Sequence, residues 1–188
     1  MSRRAFTLIE LLVVISIIGL LSTIAIVSMN SARSKARDTK RMADIKQIIT
    51  AMQLYFDTNG TYPNTGSTGI LPLSCTNGPN AWYCLGLGNA GSCWNGGSQH
   101  GCTALDSALS SYMAKIPKDP DMANVGYTGD AYLYNFATTT WFTAAPILSW
   151  GMENGPTTAA TCLGGAFGAW PGGTFRDSQY YCGITLAP

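Results

Sequence analysis

Glu10 is the one charged residue between Arg4 and Arg33, set near the start of the apolar run FTLIELLVVISIIGLLSTIAIVSM at residues 6–29. A carboxylate in hydrocarbon costs about 2.5–3.5 kcal/mol near a bilayer centre. Left alone it is a liability, but paired it becomes a register mark in an otherwise featureless apolar bundle. The six cysteines, Cys75, Cys84, Cys93, Cys102, Cys162 and Cys182, are the second set with chemistry, the first four spaced nine residues apart. No short Cys pair of the zinc or redox kind is present, and the single histidine, His100, sits in a Gly/Ser stretch and reads as a surface residue. No G-x-S-x-G, H-E-x-x-H or phosphate loop occurs, so no enzymatic activity is expected.

The element that must position Glu10 is a helix. Residues 6–29 are long enough to span a membrane, and no Pro or Gly interrupts residues 30–56. Ala32, Ala36, Ala43, Ile45, Ile49, Met52 and Phe56 fall at helical spacings and predict an apolar stripe that continues the span as an amphipathic helix. One helix from Phe6 to about Asp57 would be roughly 75–80 Å long at about 1.5 Å per residue. Asn59-Gly60 should end it and Tyr62-Pro63 turn the chain away. Gly19 lowers helicity within the apolar half.

Charge is unevenly spread under a formal total of +1. Residues 33–46 hold six basic side chains (Arg33, Lys35, Arg37, Lys40, Arg41, Lys46) and two acidic ones, Asp38 and Asp44, available for local pairs. From Gln47 onward three basic residues meet seven acidic ones. A basic helical face beside a membrane is solvated or touches anionic headgroups, and nucleic acid is not an expected partner. The distal region is rich in Gly, Ser, Thr and Asn and needs staples. Three disulfides, each contributing about 2–4 kcal/mol, would place it outside the cytoplasm. They also settle an orientation that Arg3 and Arg4 on one flank and the basic cluster on the other leave balanced. The simplest pairing joins near neighbours: Cys75–Cys84, Cys93–Cys102 and Cys162–Cys182.

In the head, residues 60–102 read as a stapled loop. A short helix follows, with Thr103 and Asp106 approximating a capping box and Leu105, Leu109, Tyr112 and Ile116 as its apolar stripe. Tyr127–Phe136 and Thr139–Leu148 read as strands joined by a tight turn, with a third around Thr174–Tyr181 or Ile184–Leu186. Trp82, Trp94, Trp141, Trp150 and Trp170 are read mainly as core, although they could line a sugar- or surface-binding patch.

The stretch from Arg3 to Leu12 resembles the N-terminal signature of type IV pilins and pseudopilins, LYFDTNGTYP resembles their helix exit, and Ile-Pro-Lys-Asp-Pro at 116–120 resembles a phrase before their sheet. The resemblance implies an α+β, ladle-shaped fold, a long N-terminal helix against a small antiparallel sheet. It divides the chain into a leader (1–5), a membrane-spanning or filament-core half (6–29), an amphipathic half (30–58) and a disulfide-stapled extracellular head (59–188). A prepilin peptidase would cut between Ala5 and Phe6 and leave the apolar helix on the mature chain, unlike a secretory signal. The family most often has Gly where Ala5 stands. Phe6 would be N-methylated, and its amine would meet Glu10 of a neighbouring subunit. Ile26 and Val27 stand where the family often has a proline. Many members close a C-terminal loop by a disulfide, where Cys162 and Cys182 lie. Some pseudopilins bind calcium near the position of Asp119, Asp121 and Asp130, oxygen ligands that suit a hard cation; no other cofactor is implied. Expected partners are copies of the chain in a helical filament, the inner membrane before assembly, the peptidase and the assembly machinery. The function implied is that of a pilus subunit, with a type II secretion pseudopilin or a membrane-anchored extracellular binding module as alternatives.

Overall fold

The computed structural model describes residues 6–66, 73, 75, 81–86, 100–120, 132–137, 146–154, 162–164, 166–169 and 180–186. It divides into two units, Met1–Ala36 and Arg37–Pro188.

The first unit carries the N-terminal part of helix α1 (Leu8–Asn59). Among the described residues, the large apolar side chains from Phe6 to Met29 are exposed. The stretch is long and apolar enough to cross a membrane. Its hydroxyls are consumed locally: Ser16 donates to the Val13 carbonyl, Ser22 to Ile18 and Thr23 to Leu20, at 2.7–2.8 Å. In lipid, where no water would satisfy them, that back-bonding removes their cost. The helix runs through Gly19 without a break.

The second unit holds the rest of α1, a short helix α2 (Thr103–Ser110) and one six-stranded sheet. The strands are β1 (Tyr83–Cys84), β2 (His100–Gly101), β3 (Tyr132–Asn135), β4 (Ile147–Met152), β5 (Ala166–Ala169) and β6 (Tyr180–Thr185), in spatial order β2-β1-β3-β4-β6-β5. The β1–β2 pair is parallel and the others are antiparallel. Ile45, Ile48, Met52, Leu105, Leu109, Tyr132, Tyr134, Leu148 and Trp150 share one buried core. Each large aliphatic side chain there contributes about 1.5–3 kcal/mol. Gly60 ends α1 with φ +71°, and its N–H returns to the Phe56 carbonyl at 2.7 Å. That left-handed conformation suits glycine. Tyr134 then donates its hydroxyl to the Pro63 carbonyl at 2.8 Å, tying the sheet to the helix exit.

Several expectations need correction. The buried stripe of α1 is Asp38, Arg41, Asp44, Ile45, Ile48, Ala51, Met52 and Tyr55. Ala32, Ala36 and Ala43 are exposed, and Ile49 and Phe56 are only partly buried. Ile45 and Met52 are buried as expected, but the stripe begins with charged residues, which apolar spacing does not reveal. The second strand ends at Met152, and the register Asn135↔Ile147 excludes a tight turn between β3 and β4. Residues 127–131 and 139–145 lie outside the described part, as does the expected strand at 174–179. Strands β1 and β2 run through the expected loop; two residues carry no periodic signal. Strand β5, AFGA, is built largely of residues with weak strand preference and is held by pairing to β6. At α2 the N-cap is Cys102, without a side-chain cap. The Asp106 carboxylate instead accepts the Gly86 N–H at 2.9 Å.

Candidate functional site

The capping box lies at the other end of the chain. Thr7 directly precedes α1, and Glu10 is three residues on. Glu10 Oε2 accepts the Thr7 N–H at 2.9 Å and the Thr7 hydroxyl at 2.7 Å, while the Glu10 N–H reaches Thr7 Oγ1 at 3.3 Å. This is the reciprocal T-x-x-E box that satisfies orphan donors at a helix start. The signal is legible in Phe-Thr-Leu-Ile-Glu, where Thr7 and Glu10 stand three residues apart at the start of the apolar run. Both donors use the same oxygen, and among the described residues no donor reaches Oε1. Phe6 is exposed beside it, and Ala5 lies outside the described residues.

The basic cluster, read as a solvated face, turns partly inward. Arg41 is 4% exposed. Its Nε and Nη2 meet Asp119 Oδ2 and Oδ1 at 2.6 and 3.0 Å, and its Nη1 meets Asp38 Oδ1 at 2.8 Å and Glu153 Oε1 at 2.7 Å. Arg37 grips the same Glu153 through both of that carboxylate's oxygens. Asp38 is saturated: besides Arg41 it accepts the Glu153 N–H at 3.0 Å, and the Asn154 N–H and side-chain amide at 2.8 Å each. Asp44 takes Lys40 Nζ at 3.2 Å and the Tyr132 hydroxyl at 2.8 Å. Burial alone would weaken the hold of Arg41 on its proton, but Asp119, Glu153 and Asp38 outweigh it and keep the guanidinium more firmly charged than usual. Burial likewise pushes Glu153 up, but Arg37 and Arg41 outweigh it and leave its carboxyl below the ordinary range. The Tyr132 hydroxyl is driven up by burial and by its bond to Asp44. A buried charge is tolerated only when paired and hydrogen-bonded, and this cluster meets that condition.

Local spacing announced Asp38 and Asp44 as partners. It said nothing of Asp119 or Glu153, which arrive from 78 and 112 residues away. Both oxygens of Asp119 accept from Arg41. Asp121 and Asp130, its companions in the calcium expectation, lie outside the described residues. His100 lies on β2. Trp150 is a core residue and Trp82 is half-buried; Trp94, Trp141 and Trp170 lie outside the described part.

Cys162 joins Cys182, as expected. The other near-neighbour pairs are overturned, because Cys75 joins Cys102. Strand pairing decides this: Cys84↔Gly101 sets Cys102 beside β1, while the Cys75 N–H is held on the Thr65 carbonyl at 3.2 Å. Cys84 is also disulfide-bonded, to a partner outside the described residues, where Cys93 lies too.

Residues 1–26 match the family model of the prokaryotic N-terminal methylation motif. The chain is 36% identical over 64 residues to type II secretion system core protein G of Klebsiella michiganensis, covering 34% of this chain and 45% of that protein. It is 38% identical over 68 residues to the protein of that name from Pseudomonas aeruginosa, covering 35% and 48%. The type IV major pilin protein PilA of Myxococcus xanthus is 34% identical over 60 residues, covering 32% and 27%. The matches thus span less than half the length of these relatives. No solved structure matches. Over its N-terminal third the chain is thus similar to type II secretion core protein G and to a type IV major pilin, and its first 26 residues carry the methylation motif on the exposed apolar start of a long helix.

Proposed function

We propose that the chain is the structural subunit of a type IV pilus-like extracellular filament. In this reading it is cut between Ala5 and Phe6 by a prepilin peptidase, N-methylated at Phe6, and bundled through its apolar helices with the stapled heads outward. It performs no catalysis of its own. The observation that carries the reading is the geometry at Glu10. Thr7 fixes the carboxylate through one oxygen and leaves the other open, four residues from the amine that cleavage would create. A neighbour's amine can then be met without breaking the cap. Intact-mass analysis of sheared surface filaments, joined with electron microscopy, tests it. The expected product is a chain starting at a methylated Phe6; a mature chain retaining Met1, or one starting beyond Met29, would overturn the reading.

A second reading is favoured by the relatives, among which type II secretion core protein G recurs. As a pseudopilin the chain would support secretion and form no long surface filaments. Deletion that abolishes secretion of an exoprotein, with no surface filaments seen in the parent, selects that reading.

A further inference from the structure

The head is held to α1 by two kinds of bond that are sorted along the helix. From Ile45 to Tyr55 the contacts are apolar, made with Tyr62, Leu105, Leu109 and the sheet. From Arg37 to Asp44 they are mainly polar and ionic, with Met42 alone of the large apolar side chains there packed on the core, and they grip two distant segments. One is Lys118–Asp119, where Arg41 holds the carboxylate and Lys40 donates to the Lys118 carbonyl at 3.3 Å. The other is Glu153–Asn154, immediately past the end of β4. The two described disulfide loops, 75–102 and 162–182, contain none of these residues. The described covalent staples therefore lie in the apolar part of the head, while among the described residues charge pairs and the hydrogen bonds around them dominate the hold on residues 37–44.

We propose that the Arg37–Asp44 cluster is an ionic latch, which opens as a unit while the stapled core remains folded. Arg41 is its pivot, because its guanidinium is shared by all three segments. Glu153 couples the two arginines, since Arg37 and Arg41 both grip it. Removing either distal carboxylate breaks the sharing and releases the turn. The latch fixes residues 37–44 of α1 to their own head. In a filament of the proposed kind, and resting on that reading, its opening would free this stretch of helix to loosen or change neighbours on assembly.

The test is made on the full chain in detergent micelles, with trypsin at neutral pH and mass spectrometry of the new ends. Asp119→Asn and Glu153→Gln keep shape, remove one charge each and leave the cleavage sites after Lys40 and Arg41 intact. In wild type those two bonds should resist. In both variants they should be cut at least about tenfold faster, one power of ten in the open population. The Cys162–Cys182 bridge, the near-UV circular dichroism and a single cooperative melt of the uncut variants should persist. Unchanged cleavage in both variants, faster cleavage in only one, or loss of the core signal together with the latch would each overturn the proposal.

Discussion

Glu10 and Arg41 are both charges carried by one helix, yet they are satisfied in opposite ways. Glu10 is exposed and, among the described residues, held only by a residue three positions away through one of its two oxygens. Arg41 is buried and meets four carboxylate oxygens from three acids, two of them distant in sequence. A charge completed by its own chain serves the fold; a charge left half-complete by its own chain is open to a second copy. That difference separates the part of α1 built for assembly from the part built for the head.

The largest effect should come from breaking the open site. Glu10→Ala removes a costly charge, so insertion in the membrane should be normal or better. In a filament the neighbour's amine would be left unpaired, at about 3–5 kcal/mol per subunit if well buried, or a hundredfold or more in a binding constant at about 1.4 kcal/mol per power of ten. Membrane-bound subunit should therefore accumulate while sheared filament falls below detection. Normal filaments from Glu10→Ala would erase the contrast between the two charges and favour a membrane-anchored binding module.

Arg41→Met should spare the membrane segment and cost the head about 3–5 kcal/mol, because three carboxylates lose their shared cation in a buried place. Thermal unfolding followed by near-UV circular dichroism measures it. A loss under about 1 kcal/mol, the usual worth of a surface pair, would mean that water reaches the cluster and that the two charges are less different than their geometry implies.

Much of the fold was legible because it is local. The absence of Pro and Gly from 30–56, the Asn59-Gly60 stop and the 162–182 staple can each be read from adjacent residues, and the structure has all three. The charged stripe was not legible. Asp38, Arg41 and Asp44 look like a solvated face until Asp119, from the segment after α2, and Glu153, just past β4, are brought to them, and no spacing within the helix encodes those partners. Counting alanines as core failed for the same reason: a small residue can face anywhere, while a saturated ion cluster can face only inward. Thr103 and Asp106 have the spacing of a capping box, but the helix there is capped at Cys102 without a side-chain bond, and the Asp106 carboxylate accepts the Gly86 N–H.

Acid should sharpen the comparison. Arg37 and Arg41 keep Glu153 below the ordinary carboxylate value of 4.5, against the upward push of burial. The unfolded chain therefore binds this proton more tightly than the folded one. The stabilisation is complete above about pH 4.5 and drains away as pH falls through the folded value. Melting temperatures measured between neutral pH and about pH 3 should fall below 4.5 in wild type, and the fall should be shallower in Glu153→Gln. Equal slopes would assign acid sensitivity to other groups.

The smallest effect should come from Lys40, which touches the same cluster from its rim. Its side chain is 53% exposed, against 5% for Arg41, although both meet acids that are nearly buried. Water already solvates the Lys40 ammonium, so little is lost when its partner is taken away. Asp44 keeps the Tyr132 hydroxyl at 2.8 Å and is not left unsatisfied. The pair is also the four-apart kind on one helix, worth about 0.3–0.5 kcal/mol where exposed. Lys40→Met should therefore change head stability by less than about 1 kcal/mol, and added salt should shrink even that difference, since exposed pairs are screened. A double-mutant cycle with Asp44→Asn, read by chemical denaturation, isolates the pair. A coupling as large as that of Arg41 with Asp119 would show that exposure does not divide rim from pivot, and the contrast drawn from burial would fail.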